Sequence, residues 1–291
     1  MSYDLYFFKT KGSPITDNEI ENFLSSELVP KENNQWFFHN SDTEVYFTFE
    51  KTEKENNNDS ENFENFENFE DFKDVNISFN LNFLRPSFFG IEAFEFIDKL
   101  VNDLDLYVFN PQSENDKPYK PNQKELFNNW NNTNLHASSS HFSEQNSYLD
   151  IEKSNQIWNY NANRNLIQQK LGNAYFVPKM FFFKTKENND VITVSSWTEH
   201  IPNVIPNADY FLLTKVQKKW FKTKKENTLI SREKLLSTFG EYLNDHDFIN
   251  CKIIHPENAQ KVKILFNNIS SDLNLETFAE RIQIESLFNA K

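Results

Sequence analysis

The sequence has only four glycines and one cysteine among its 291 residues. The glycines, at positions 12, 90, 172 and 240, are too widely spaced for the loops that cradle phosphate groups. Nucleotide sites of the GxGxxG and GxxxxGK types are therefore excluded. The lone Cys251 can form neither an internal disulfide nor a cysteine zinc site. We predict a protein without a cofactor or metal.

Long apolar runs are also missing. No stretch approaches the roughly 20 apolar residues that cross a bilayer. Asp4 interrupts the first apolar run, so the sequence does not indicate a secretory leader. These absences predict a cytoplasmic protein with no membrane partner.

Positive charge is in short supply, since 30 basic residues face 43 acidic ones and the net charge is −13. Residues 50–74 hold ten acidic residues and three lysines, which is more than half of that net charge. Nucleic acid is not an expected partner, because phosphate contacts need local positive charge. A partner with a basic surface fits better, although an acidic surface also serves solubility alone.

Phenylalanine is abundant, with 31 residues, so the core is expected to consist largely of aromatic rings. Strands are predicted at Tyr3–Phe8, Gln35–His39, Glu44–Lys51, Val75–Phe83 and Leu106–Phe109. A helix is predicted after Thr16, which with Glu19 has the form of a capping box, and a second helix over Ile91–Leu104. The order β-α-β-β-β-α-β is that of a split βαβ (ferredoxin-like) variant with one extra strand and a mixed or antiparallel sheet.

We therefore predict an α+β (mixed α/β) chain with two αβ sandwich-like domains. Residues 1–110 would form the first, with a low-complexity acidic loop at 52–74. Residues 111–172, rich in Pro, Asn and Ser, would connect it through short helices at 121–130 and 164–171 to a second domain at 173–291. In that second domain, strands are predicted at 175–184, 191–197 and 210–216 and helices at 231–243 and 256–267.

The acidic loop contains the repeat ENFENFENFEDF at residues 61–72. Its phenylalanines recur every three residues, a period that neither an α-helix nor a strand aligns on one face. An expanded loop is therefore the first interpretation, and deletion of 53–73 is expected to leave the fold intact. In the alternative interpretation the loop attracts a basic partner through an acidic and aromatic set: Glu64, Phe66, Glu67, Phe69, Glu70 and Asp71.

Residue types suited to catalysis occur at four places without a recognisable signature. These are His136 and His141 in a Ser-rich segment, Ser195-Ser196 with Glu199-His200, Asp245-His246-Asp247, and Cys251 with His255. A five-residue gap between histidines gives no firm metal geometry, and adjacent residues on a strand point to opposite faces. We interpret the four places respectively as loop histidines, a weak catalytic candidate, a polar turn and a core cysteine. No catalytic residue is predicted.

The most basic segment is Lys215–Lys225, in which six lysines flank Trp220 and Phe221. Basic and aromatic residues together are typical of grooves that bind single-stranded nucleic acid. Lysines that protect the edge strand of a sheet are the alternative explanation.

The opening MSYDLYFFK of residues 1–9, with the later segments 175–183 and 201–206, resembles a group of bacterial cytoplasmic proteins. Some members of that group are similar to immunity proteins of polymorphic or type VI secreted toxins. The resemblance implies a non-enzymatic protein that binds and neutralises one cognate toxin. The alternatives are a hydrolase or transferase of unrecognised type, and a scaffold or nucleic-acid-associated protein that uses Lys215–Lys225.

Overall fold

A computed structural model describes most of the chain, which folds into two compact units. Unit 1 is Met1–Phe142 with Asn289–Lys291, and unit 2 is Ser143–Phe288. The described residues are 1–32, 34–52, 69–140, 146–219, 222–246, 250–271 and 273–290, with side chains omitted at 217–219, 222–225 and 290. The boundary between the units falls inside the segment that the sequence marks as a connection.

Unit 1 contains six strands and three helices within its described residues. In chain order they are β1 Ser2–Thr10, α1 Asp17–Glu27, β2 Val29–Lys31, β3 Gln35–His39, β4 Tyr46–Lys51, β5 Phe72–Asn82, α2 Phe88–Asp103, β6 Tyr107–Phe109 and α3 Gln123–Ser140. The strands form one sheet in the order β2-β3-β4-β5-β1-β6, and every neighbouring pair is antiparallel.

The four strands β4-β5-β1-β6 have the order and directions of a split βαβ sandwich. This confirms the predicted architecture, with two additional strands at one edge instead of the single one expected. The short strand β2, with all three residues exposed, is the element that the sequence did not indicate. Strand β5 also begins at Phe72, three residues before the predicted strand.

Helices α1 and α2 cover the inner face of this sheet, where the core is aromatic. The ring of Phe96 on α2 lies 5.6 Å from that of Phe47 and 5.5 Å from that of Phe49, and Phe94 lies 6.2 Å from Phe79. Ring pairs at these separations add to the stabilisation that burial alone provides. Helix α1 begins with the predicted capping box, because the Thr16 side chain accepts from the Glu19 N–H and the Glu19 carboxylate accepts from the Thr16 N–H.

Unit 2 contains one mixed five-stranded sheet and smaller sheets. Its elements are β7 Ser147–Asp150, α4 Ile151–Ala162, α5 Arg164–Leu171, β8 Phe181–Thr185, β9 Val191–Thr198, β10 Asn203–Ile205, β11 Tyr210–Lys219, β12 Lys222–Ser231, α6 Arg232–Phe239, β13 Leu243–His246, β14 Cys251–Ile254, α7 Pro256–Lys261, α8 Lys263–Asn268, α9 Leu275–Phe278, β15 Ala279–Arg281 and β16 Leu287–Ala290, whose last two residues belong to unit 1. The sheets are β12-β11-β9-β8-β15, β10-β14-β13 and β7-β16. Only the β9–β11 pair of the five-stranded sheet is parallel, so the α+β class is confirmed.

Two predicted helices of unit 2 are shorter than the sequence pattern suggests. The helix predicted over 231–243 ends at Phe239, and a 3₁₀ turn then leads into β13. The helix predicted over 256–267 is divided into α7 and α8 at Val262, whose ψ of 0° departs from helical geometry. Asp245 and His246 lie on β13, so their interpretation as part of a turn is wrong, and Asp247 lies outside the described residues.

The start of α1 makes unit 1 sensitive to acid. The buried Lys9 ammonium lies 2.8 Å from Asp17 Oδ1, and this hydrogen bond holds the pKa of the Asp17 carboxyl below its ordinary value. A depressed pKa gives stabilisation that is complete above the pKa of the unfolded chain and is lost as the pH falls through the folded value.

We therefore expect Asp17→Asn to destabilise unit 1 at neutral pH, and the difference from the native chain to shrink below about pH 4. Urea denaturation at a series of pH values measures this difference. Asp116→Asn, at an exposed position, is the matched control and should leave the stability unchanged. A difference that stays constant down to acid pH would contradict the role of Asp17.

Candidate partner-binding site

The outer face of the unit 1 sheet carries polar and aromatic side chains that alternate with the core. On β1, Leu5 and Phe7 are fully buried, whereas Asp4 and Tyr6 are half-buried on the opposite face. The strand register then places a row of residues across this outer face. That row runs from Glu50 on β4 through Ser78 on β5 to Tyr6 on β1.

Three carboxylates surround Tyr6 on this face. The carboxylate of Asp4 accepts hydrogen bonds from Asn80 Nδ2 at 2.6 Å and from Ser2 Oγ at 3.0 Å. Burial raises the pKa of the Tyr6 hydroxyl, and the negative charges of Asp4, Glu50 and Asp74 raise it further. The centre of the outer face is therefore a region of negative potential that includes an aromatic side chain.

The end of the acidic repeat packs at one side of this face. The ring of Phe69 lies 5.3 Å from the ring of Phe8 and 5.3 Å from that of Phe109. Phe8 is 1% exposed, and Phe69 itself is half-buried. The last phenylalanine of the strict triplets therefore packs against the sheet, a contact that the three-residue period does not predict.

The other residues predicted to bind a partner are placed differently. Glu70 and Asp71 are exposed in the turn before β5, and the Lys11 N–H donates to the Asp71 carbonyl at 3.0 Å. This bond fixes the turn beside the end of β1, close in sequence to Phe69. Glu64, Phe66 and Glu67 lie outside the described residues.

Positive charge lies at the opposite corner of the outer face. The Arg85 guanidinium donates to Tyr46 Oη at 2.8 Å and lies over the Tyr46 ring, 5.6 Å from its centroid. The Phe37 ring stacks between those of Tyr46 and His39. The face thus has a cationic and aromatic corner as well as an acidic centre.

Asp4, Tyr6 and Glu50 were not among the residues predicted to form a site. Their signal was present as the alternation of polar and apolar residues in β1 and β4. Alternation shows that one face of a strand is exposed to solvent, but it does not show which strands are neighbours in the sheet. The pairing of β5 with both β1 and β4 brings the carboxylates of Asp4, Glu50 and Asp74 together.

The catalytic candidate at Glu199-His200 is only partly assembled. His200 Nε2 lies 2.9 Å from Glu199 Oε1, so the two side chains do meet. The objection that neighbours on a strand diverge was wrong for this pair, because both residues follow the end of β9 and His200 has a φ of +67°. Ser195 Oγ instead donates to the Lys179 carbonyl at 3.1 Å. The bond from a hydroxyl to the imidazole that nucleophilic catalysis requires is therefore not made by Ser195.

The remaining catalytic candidates are Cys251 with His255, and His136 with His141. Burial raises the pKa of the Cys251 thiol to about 11, which opposes a role as nucleophile. His255 Nδ1 lies 2.6 Å from Tyr175 Oη, at the start of α7. His136 is exposed on α3, which corrects its assignment to a loop, and His141 lies outside the described residues.

The basic segment Lys215–Lys225 forms the paired ends of β11 and β12. The Lys215 ammonium is buried and donates to the Ile269 carbonyl at 2.6 Å. This hydrogen bond connects β11 to the residue that follows α8. The side chains at 217–225 lie outside the described part of the structure. The contribution of Lys215 is therefore to packing, and it supports neither a basic surface nor a phosphate contact.

Comparison with protein families, curated proteins and solved structures gives no match to this chain. Among the helices in the described ranges, none combines the length and apolar character needed to span a bilayer. The same ranges contain no group of three or more His, Cys, Asp or Glu residues arranged to hold a metal ion.

Proposed function

We propose that this chain is a non-enzymatic cytoplasmic binding protein of the immunity type, which neutralises a cognate bacterial toxin by binding a basic surface of it. The observation that carries this proposal is the outer face of the unit 1 sheet. There, the carboxylates of Asp4, Glu50 and Asp74 surround Tyr6, and Phe69 packs at the side.

Charge supports a basic protein as the partner. The net charge of −13 is concentrated in residues 50–74, and Glu70 and Asp71 are exposed at the edge of the outer face. A negative field of this kind accelerates encounters with a positively charged protein and disfavours acidic competitors. The same field repels nucleic acid, which makes a protein the better-suited partner.

Shape and chemistry support protein binding rather than a small ligand at this face. A sheet face is broad, and its half-buried aromatic rings provide large contact areas with little side-chain entropy to lose. Aromatic residues within a polar surrounding are typical of the centres of protein interfaces. In this proposal Tyr6 and Phe69 supply the apolar contacts, and the carboxylates supply the steering and the orientation.

The test uses the protein encoded beside this chain's gene as the probe. Co-expression with that neighbour should protect cells from its toxicity, and the two proteins should co-purify. The double variant Glu50→Lys/Asp71→Lys should lower the association rate constant by about tenfold or more, with a smaller effect at high salt. Stopped-flow or surface plasmon resonance measurements give that rate.

The double variant Glu187→Lys/Glu241→Lys is the control, because it changes the net charge equally at exposed positions of unit 2. It should retain most of the association rate and all of the protection. An equal loss in both variants would show that only the overall charge matters and would remove the outer face from the proposal. Absence of both co-purification and protection would refute the function itself.

A further inference from the structure

Unit 2 contains a cleft of about 700 Å³, a volume within the range of small-molecule sites. Its lining comes from α4 and α5 and from Met180, Asn207, Asn250 and Cys251. The floor consists of buried side chains: Ile157, Tyr160, Ile167, Met180 and Cys251. The cleft thus has an apolar base below a more polar opening.

Hydrogen bonds fix the floor in place. Tyr160 Oη donates to the Pro178 carbonyl at 2.9 Å. The Asn161 amide makes two bonds to Met180, in which Nδ2 donates to its carbonyl at 2.9 Å and Oδ1 accepts from its N–H at 3.0 Å. Since the polar groups behind the floor are already satisfied, a ligand would enter a cleft that is formed in advance and would lose little free energy to reorganisation.

The opening is lined mainly by uncharged amides. They are Gln156, Asn159, Asn163, Asn207 and Asn250. Three of them are already engaged, because Asn163 Nδ2 donates to Asn159 Oδ1 and Asn207 Oδ1 accepts from Arg232. The side chains of Gln156 and Asn250 make no hydrogen bond within the described part of the chain, and both residues are exposed.

The few charged groups at the opening do not select an ion of one sign. The Lys153 ammonium lies 3.3 Å from the Asp209 carboxylate, while Asp150 and Glu152 are exposed at the mouth. Asp150 also caps α4, since its side chain accepts from the Lys153 N–H. Recognition in the cleft must therefore come mainly from amide groups, each of which can donate and accept a hydrogen bond.

We propose that this cleft binds a small uncharged ligand that has an amide edge, with a donor beside an acceptor, attached to an apolar body. Gln156 and Asn250 would bind the amide edge. The apolar body would lie on Tyr160, Met180 and Cys251. A peptide bond with an apolar side chain and an uncharged nucleobase share this chemistry, and the experiment separates these two sources.

Cys251 provides a direct readout of occupancy, because it is the only cysteine of the chain and lies on the floor. The full-length protein is treated with a thiol-alkylating reagent in mildly alkaline buffer, and the modified fraction is followed by mass spectrometry. The probes are N-acetylphenylalanine amide and thymidine. At a concentration about ten times its dissociation constant, a bound probe should slow alkylation about tenfold. Benzyl alcohol has an apolar body without an amide edge and should not protect at the same concentration.

Matched variants show whether the amides are responsible. Asn250→Gly keeps the backbone relaxed, because Asn250 has a φ of +44°, and Gln156→Ala changes an exposed side chain. Each should abolish most of the protection, whereas Gln260→Ala, at an exposed position outside the cleft, should retain it. Circular dichroism confirms that each variant is folded before labelling.

The pattern of protection distinguishes a peptide ligand from a nucleobase and tests whether the cleft binds either. Protection by the phenylalanine derivative alone identifies a peptide ligand, and protection by thymidine alone identifies a nucleobase. Alkylation that neither probe slows, or equal protection in the Asn250→Gly and Gln156→Ala variants, would overturn the proposal. The cleft lies wholly in unit 2, so its failure is distinct from any failure of the outer face of unit 1 to bind a protein.

Discussion

Glu199→Ala is expected to destabilise unit 2 by about 3 kcal/mol. The Glu199 side chain is 3% exposed, and its carboxylate accepts two hydrogen bonds, from the Val216 N–H at 2.9 Å and from Asn267 Nδ2 at 3.1 Å. His200 Nε2 lies 2.9 Å from Oε1 of the same carboxylate. Alanine would leave these donors without an acceptor, and each buried donor that loses its partner costs roughly 1–3 kcal/mol.

The carboxylate also connects elements that are distant in sequence. It joins the turn after β9 to β11 through Val216 and to α8 through Asn267. Hydrogen exchange measured by mass spectrometry should therefore show faster exchange in β9, β11 and α8 of the variant. Glu199→Gln should have a smaller effect, because its carbonyl oxygen can still accept from Val216.

Glu241→Ala is the control for this substitution, since Glu241 is exposed, and it should change the stability by less than about 0.5 kcal/mol. If exchange in unit 2 of Glu199→Ala matches that of the native chain, the contacts of Glu199 with Val216, Asn267 and His200 do not stabilise the unit. Protection of cells by this variant in the co-expression assay would leave the proposal for the outer face unaffected, because the outer face belongs to unit 1.

Gly90→Ala is expected to destabilise unit 1 by about 1–3 kcal/mol, although alanine is the better helix former by about 1 kcal/mol. Gly90 lies in the first turn of α2, where it faces the fully buried Trp130 of α3. A Cβ atom at position 90 would lie 2.6 Å from Trp130 Cε3 and 2.7 Å from Cζ3. A buried indole surrounded by other side chains has little room to move, so α2 and α3 would have to separate.

Two comparisons make this second prediction specific. Gly240→Ala has nothing within 4 Å of the added Cβ and has helical φ and ψ, so it should be neutral or slightly stabilising. In a Trp130→Phe background the smaller ring should reduce the cost of Gly90→Ala, which a double-mutant cycle measures as a coupling energy. Additive effects of the two substitutions would contradict close packing between Gly90 and Trp130.

Much of unit 1 could be predicted from the sequence, because its signals are local and agree with one another. The capping box at Thr16, the alternation in β5 and the apolar face of α2 each predicted an element that the structure contains. Together they also predicted the split βαβ order. In unit 2 the signals were weaker, and α4 was not predicted. The sequence does contain signals of this helix, the N-cap Asp150 and the apolar face with Ile157 and Tyr160. The many Asn residues around them obscured the helical pattern.

The acidic repeat shows the limit of prediction from local sequence patterns. Its period excluded a regular element, and the sequence alone suggested that deletion of 53–73 would be harmless. The structure instead places Phe72 and Lys73 in β5 and packs Phe69 on Phe8 and Phe109. A deletion that tests the charge of the loop without disturbing the sheet must therefore end before Phe69.

The sequence by itself determined the α+β class, the aromatic character of the core and the acidic charge of the chain, because these follow from composition and short-range periodicity. Only the tertiary structure decided which carboxylates meet around Tyr6, that Glu199 reaches Val216 and Asn267, and that a cleft with amides at its opening exists in unit 2. Each of these features joins residues that are far apart in the chain. Strand pairing and helix packing set such distances, and no pattern within a short window of sequence records them.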